Sequence, residues 1–232
     1  MAKGIFITGT DTGVGKTVIA CALSLLLKQK GMDVGVMKPI ETGCKWKNGK
    51  LFPEDGSMLK RYSMASDNLE DVSPCRFSNP LAPMAAEMIE KRGIDLKKIK
   101  ASFERIREKH DFMIIEGIGG LLVPIKKNFF VSDLAKFFGF PLLIVCRPGL
   151  GTLNHTFLTV REGTKMNLFI KGIIINNYNS KTRDIACKTN PAIINKILKP
   201  KNLIAFPKLN KLNSETLLRI GKKYLMKLAD IL

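Results

Sequence analysis

The chain has 232 residues, and its 38 Lys and Arg against 20 Asp and Glu leave a formal charge of +18 at pH 7. Hydrophobic residues at 45% and charged ones at 25% are globular values that exclude a disordered or fibrous chain, and no apolar run nears the roughly 20 residues that span a bilayer. The length predicts one domain over 1–232 with a core that needs no staples, and Met1-Ala2-Lys3 leads straight into a short apolar run rather than a signal peptide.

Short β-like runs alternate with longer helical ones, which predicts an α/β fold with a mostly parallel sheet between helical layers. The first strand is expected over 4–8. Gly9-Thr10-Asp11-Thr12-Gly13-Val14-Gly15-Lys16-Thr17 follows, then a helix over 17–30. The run Val18-Ile19-Ala20-Cys21-Ala22-Leu23 is apolar nearly all round, so that helix is expected to be buried. A second strand over 34–38 leaves the sheet through Lys38-Pro39-Ile40-Glu41-Thr42-Gly43. The stretch 43–79 is the least regular, with Lys47-Asn48-Gly49-Lys50 reading as a turn. Within it, Asp55 of Pro53-Glu54-Asp55-Gly56 fits a helix N-cap as well as a ligand. A helix is expected to begin near Asp95, and strands over 112–116, 142–146, 171–175 and 203–206; a helix over 214–232 closes the chain. The runs Phe112-Met113-Ile114-Ile115 and Leu142-Leu143-Ile144-Val145 are continuously apolar, as strands covered on both faces should be.

The first glycine-rich segment carries the strongest chemical signal. Between a strand and a helix, backbone N–H groups converge on phosphate oxygens and the helix dipole favours their charge. Lys16 would reach the terminal phosphates and the Thr17 hydroxyl would ligate Mg²⁺. Thr10 stands where the usual G-x-x-x-x-G-K-[ST] pattern has its first glycine, and Gly9 comes one residue early, so the loop is lengthened. Glu116 ends a central strand before Gly117-Ile118-Gly119-Gly120, facing the crevice where such sheets hold ligands. There it could help hold Mg²⁺. Lys38 leaves its strand at the same end.

Other features read as structural. Cys21, Cys44, Cys75, Cys146 and Cys187 form no C-x-x-C pair, which argues against a disulfide framework or zinc site and fits a reducing cytoplasm. The lysines run along the whole chain without a nucleic-acid module, so a solvated surface is expected rather than a polyanion site. His155 reads as a helix-start residue and His110, beside a charged run, as surface.

Five segments, in this order, resemble the dethiobiotin synthetase family: the lengthened loop 9–17, Lys38–Gly43, Glu116-Gly117-Ile118-Gly119-Gly120, Gly149-Leu150-Gly151-Thr152-Leu153-Asn154-His155, and Ile175-Asn176-Asn177. The resemblance reaches the Phe206-Pro207 region and implies a three-layer P-loop NTPase fold. It implies ATP as co-substrate with Mg²⁺, and diaminopelargonate and CO₂ as substrates. One amine takes up CO₂ as a carbamate, the carbamate attacks the γ-phosphate to give a mixed anhydride, and the second amine closes the ureido ring. Carried over by motif, Lys16 and Lys38 are catalytic, and Thr17, Asp55 and Glu116 hold Mg²⁺. The nucleotide would lie on Gly13, Val14, Gly15, Lys16, Thr17, Asp55, Glu116, Gly117 and Gly119, with Asn176, Asn177 and Pro207 at adenine. Thr12 and Thr42 would meet the diamine, and Leu150, Gly151 and Asn154 its carboxylate across a homodimer interface. No nucleic acid or membrane partner is implied. Gly13 replaces an acidic residue of some members, Gly56 predicts a looser helix start, and 180–201 matches nothing in the pattern.

Two rival classes are weaker. A cobyrinic acid diamide synthetase or similar amidoligase needs a glutamine-hydrolysing domain with a cysteine nucleophile and its histidine, for which this chain offers only His110 and His155. A partner-switching ATPase of the chromosome-partitioning or septum-positioning type usually carries a further lysine early in its loop, where this chain has Gly9-Thr10-Asp11-Thr12.

Overall fold

The computed structural model describes residues 3–232; Met1 and Ala2, part of the reading that no signal peptide is present, lie outside the described residues. The chain runs β1 (Lys3–Gly9), α1 (Lys16–Gln29), β2 (Val34–Met37), β3 (Ile40–Glu41), β4 (Lys45–Lys47), β5 (Lys50–Phe52), α2 (Glu54–Ser63), α3 (Leu69–Val72), β6 (Cys75–Arg76), α4 (Pro83–Glu90) and α5 (Leu96–Arg107). It continues β7 (Phe112–Glu116), β8 (Pro124–Lys126), β9 (Phe129–Phe130), α6 (Val131–Phe138), β10 (Leu142–Cys146), α7 (Thr152–Lys165), β11 (Ile170–Tyr178), α8 (Ile185–Leu198), β12 (Leu203–Pro207) and α9 (Ser214–Ala229).

The apolar runs become a six-stranded parallel sheet in the order β12-β11-β10-β1-β7-β2. Every residue of β7 and β10 is buried, because helices cover both faces. Helices α1, α2 and α9 pack together on one face, while α5, α7 and α8 lie against the other. On that second face Phe138 of α6 stacks on Phe6 of β1 and meets Phe103 of α5 edge-on, with ring centroids 6.0 and 4.8 Å apart. Strand β1 has β7 on one side and β10 on the other, so the chain direction across the sheet reverses at β1. A crevice opens there, beyond the carboxyl ends of the strands. The register puts Ile7 beside Glu116 and Gly9 beside Val145, which brings the glycine-rich segment, Glu116 and the end of β10 to one rim.

Caps explain several helix starts. Asp95, Asp184 and Asn213 each accept a bond from a backbone amide three residues on, opening α5, α8 and α9. The predicted turn at 47–50 joins the β4–β5 hairpin, with Asn48 and Gly49 at φ 49° and 71°. The segment 180–201 is mostly α8, which carries Pro191 inside it. Its buried Asn190 donates to the Pro148 and Gly149 carbonyls at 2.8 and 3.0 Å.

His110 is a correction. It is not a surface residue: its side chain is enclosed, with Nε2 2.7 Å from Asp67 and Nδ1 3.0 Å from Asp33. The glycine at position 35 leaves the space its ring fills. All five cysteines are free and buried. Among the described residues no helix is long and apolar enough to cross a membrane.

Candidate active site

A cleft of ≈ 280 Å³ at the crevice is lined by the glycine-rich loop, Lys16, Thr17, Lys38, Glu41, Thr42, Asp55, Glu116 and Gly119. The loop ends at Gly15, the N-cap of α1, with φ 93°. A Cβ there would overlap the Asn176 side-chain amide, so only glycine fits. Helix α1 has no side-chain cap and no acidic residue in its first turn. Its free N–H groups and positive dipole end therefore face the cleft.

The two lysines of the cleft are held in opposite ways. Lys16 donates to two neutral acceptors, the Asp11 and Gly119 carbonyls, each at 3.1 Å. Burial, and then the charge of Lys38, push its ammonium down to about 8. Lys38 is 3% exposed. It lies 2.5 Å from Glu116 Oε1, 3.0 Å from Asp55 Oδ2 and 3.2 Å from the Gly117 carbonyl. Burial alone would lower its pKa, but the Glu116 and Asp55 carboxylates outweigh it and hold Lys38 raised and charged. Glu116 is 1% exposed, so it is not a solvated strand end. Burial raises its pKa, with Lys38 opposing.

The donor set fits a hard cation. Glu116 Oε1 accepts from the Thr17 hydroxyl at 2.9 Å, and Glu116 Oε2 is buried with no hydrogen-bond partner. Asp55 shares the Lys38 ammonium with Glu116 and is 39% exposed toward the open side. Two carboxylates and a hydroxyl are what Mg²⁺ takes when phosphate and water complete its shell.

Glu41, quoted in the sequence only as part of a motif, has a specific place. Its Oε1 and Oε2 accept from the Asp55 and Gly56 amides at 2.8 and 2.9 Å, at the start of α2. Burial pushes its carboxyl up to about 7, with the Gly56 amide opposing. The N-cap of α2 is Pro53, so Asp55 is not a cap but lies in the first turn. Nor is that helix start loosened by Gly56: a Cβ there would press on Ser73 and approach Glu41, so glycine allows the tight join.

Sequence comparison identifies the family. A family model described as an AAA domain matches residues 3–216. The chain is 41% identical over 222 residues to the ATP-dependent dethiobiotin synthetase BioD of Thermodesulfovibrio yellowstonii, covering 93% of this chain and 92% of that protein. The chain belongs to the dethiobiotin synthetase family. The BioD of Bacillus subtilis strain 168 is 42% identical, with 96% of this chain and 95% of that protein covered. Among solved structures, the septum site-determining protein MinD with Mg-ADP from Pyrococcus horikoshii superposes with a TM-score of 0.63 at 19% identity, covering 99% of this chain and 95% of that one. A ParA family ATPase from Chlorobium tepidum gives 0.59 at 14%, with 100% of both chains covered. These two share the P-loop fold and nothing more specific.

Against that dethiobiotin synthetase background, the structure gathers Thr12, Gly13, Gly15, Lys16, Thr17, Thr42, Asp55, Glu116 and Gly119 at one cleft. Val14 is buried behind it, and its carbonyl accepts from Asn176 Nδ2 at 2.8 Å. That bond uses one of the two N–H donors of the Asn176 amide and fixes the side chain against the loop. Gly117 packs on Phe6. Pro207 borders a separate cavity of ≈ 360 Å³ with Tyr178, Asn179 and Tyr224, and Asn177 is exposed at φ 58° before it. Leu150, Gly151 and Asn154 do not line the phosphate cleft. They sit at the start of α7, whose N-cap Gly151 supplies no side-chain bond.

Proposed function

We propose that the protein makes dethiobiotin from diaminopelargonate, CO₂ and ATP, with the γ-phosphoryl group transferred between Lys16 and Lys38. The observation that carries this is the pair of buried ammonium groups facing one cleft at the head of α1. A carbamate and a triphosphate repel each other, so their approach needs cations on both sides and little covalent help from the protein. Lys16 and the loop amides would hold the phosphates, with the helix dipole favouring their charge. Lys38, charged by its carboxylate partners, would hold the carbamate and the phosphoryl group in flight. Thr17, Asp55 and Glu116 would hold Mg²⁺, which when bound neutralises phosphate charge.

The carbamate oxygen attacks the γ-phosphorus and the bond to ADP breaks. The second amine then attacks the carbamoyl carbon, the C–O bond to phosphate breaks, the ring closes and the amine proton leaves. Thr12 and Thr42 at the cleft suit the reacting end of the diamine. On the adenine side, Asn176 Oδ1 would accept from the exocyclic amine, with Asn177 and Pro207 bordering the base.

We also assign the far end of the diamine to a second subunit. Helix α7 begins with uncapped amides suited to a carboxylate. Leu150, just before α7, is 89% exposed, and the exposed Leu122 and Leu158 line a cavity that also touches Thr12, Gly119 and His155 of α7. An apolar rim beside an incomplete substrate site supports a homodimer that joins Leu150, Gly151 and Asn154 to the partner's cleft. Five reduced, buried cysteines support a cytoplasmic location.

Purified protein with MgATP, bicarbonate and diaminopelargonate should release one phosphate per product of dethiobiotin mass, and none without the diamine. Phosphate release that ignored the diamine, or responded to DNA or lipid instead, would show the assignment to be wrong.

A further inference from the structure

The first turn of a helix leaves backbone N–H groups without partners. Helix α2 begins after Pro53, which has no side-chain acceptor to offer. The acceptor comes instead from β3, where Glu41 is 4% exposed and turns both oxygens onto that turn. Oε1 takes the Asp55 amide at 2.8 Å and Oε2 the Gly56 amide at 2.9 Å, with the Ser73 hydroxyl 3.5 Å from Oε2. Each oxygen of Glu41 is thus engaged by the backbone at the start of α2, while the side chain also borders the cleft. What it holds is the backbone of Asp55, whose side chain reaches Lys38 at 3.0 Å. The missing Cβ of Gly56 lets this turn pack against Ser73, whose Cβ an added methyl would meet at 2.9 Å, while that methyl would only touch Glu41 Oε2 at 3.4 Å.

We propose that Glu41 is a positioning residue that clamps the first turn of α2, fixing the Asp55 carboxylate where it meets Lys38 and the divalent cation. This rests on the reading of Asp55 as a metal ligand given above. Like groups that orient the ligands of metal sites elsewhere, a clamp of this kind is worth roughly 10–100-fold in metal affinity. It acts only through Asp55. A general stabilising cap would affect melting temperature and every ligand alike.

The test is a double-mutant cycle on Mn²⁺ affinity in the presence of ADP, read from the electron paramagnetic resonance signal of free Mn²⁺. ADP affinity in excess chelator is measured alongside. Glu41→Ala should weaken Mn²⁺ by about 10-fold or more and leave metal-free ADP binding within about twofold. Glu41→Gln, which keeps the volume and one acceptor, should fall between wild type and Glu41→Ala, and it serves if the alanine variant does not fold. In an Asp55→Ala background, either change should weaken Mn²⁺ no further. The proposal is overturned if Asp55→Ala weakens Mn²⁺ while both Glu41 variants bind it normally, or if the two losses multiply in the double variants. If Asp55→Ala itself binds Mn²⁺ as wild type does, the metal-ligand reading of Asp55 is what fails, and the clamp falls with it.

Discussion

Replacing Lys38 by methionine removes a charge while keeping most of the apolar stem. The loss falls on Glu116, which is 1% exposed and sits 2.5 Å from the lysine nitrogen. Only the Thr17 hydroxyl would remain on Oε1, and Oε2 has no partner at all. Removing one member of a buried ion pair costs about 3–5 kcal/mol. The lower end applies here, because Glu116, already raised by burial, can take up a proton. At about 2–4 °C per kcal/mol for a chain of this length, 3 kcal/mol lowers Tm by about 6–12 °C. Differential scanning calorimetry of wild type, Lys38→Met and Lys38→Met/Glu116→Gln at pH 7 measures it. The single variant should melt lower, and the double should recover most of the loss because the buried Glu116 charge that Lys38 balanced is gone. In phosphate release with all substrates present, both should lose about 10²–10³ in kcat. An unchanged Tm in Lys38→Met, or a double variant less stable than the single, would refute the ion-pair reasoning.

Lys16 gives a pH prediction. Its ammonium is held down to about 8 in the free protein, and bound phosphates favour the charged form, so its pKa must rise on binding. Below pH 8 both states are charged and affinity is flat. Above pH 8 the free protein loses the proton that the complex keeps, and Kd for ADP should rise up to about tenfold per pH unit; calorimetric titration from pH 6.5 to 9.5 checks this, and Lys16→Arg should abolish the rise. Gly15→Ala places a methyl on the Asn176 amide and an alanine at φ 93°. It should weaken ADP by about tenfold or more, since left-handed strain alone costs roughly 1–2 kcal/mol, and Asn176→Ala should restore part of the loss. Asn190→Ala frees the Pro148 and Gly149 carbonyls just before α7. Steady-state kinetics should show KM for the diamine raised several-fold, by the roughly 1 kcal/mol of a lost hydrogen bond, with KM for ATP unchanged.

What the sequence made legible follows from local chemistry. The β7 and β10 runs are four or more consecutive apolar residues, so their ends fall where charge or glycine begins, at 112–116 and 142–146 as expected. Loop 9–17 announces its role because strand, glycines, lysine and helix are contiguous. Helix α8 was hidden by Pro191 and its Lys- and Asn-rich surface; its Asp184 cap was the available signal. Asp55 was ambiguous because its partner Lys38 lies 17 positions earlier in the numbering, a distance no pattern spans. Glu41 was missed for the same reason, although Pro53-Glu54-Asp55 held a clue: a helix start with no cap of its own needs an acceptor from elsewhere. His110 misled because its charged neighbourhood folds inward, between Asp67 and Asp33, instead of facing water.

The central claim is that the cleft brings a carbamate oxygen onto the γ-phosphorus between two ammonium groups. Oxygen-18 in CO₂, supplied with diaminopelargonate and MgATP in ordinary water, tests it within a single turnover. The carbamate oxygen that attacks phosphorus stays with it when the second amine breaks the C–O bond, so the released phosphate should carry one heavy atom, seen as a mass increase or a ³¹P shift. Phosphate released without the label, alongside newly made dethiobiotin, would contradict the account.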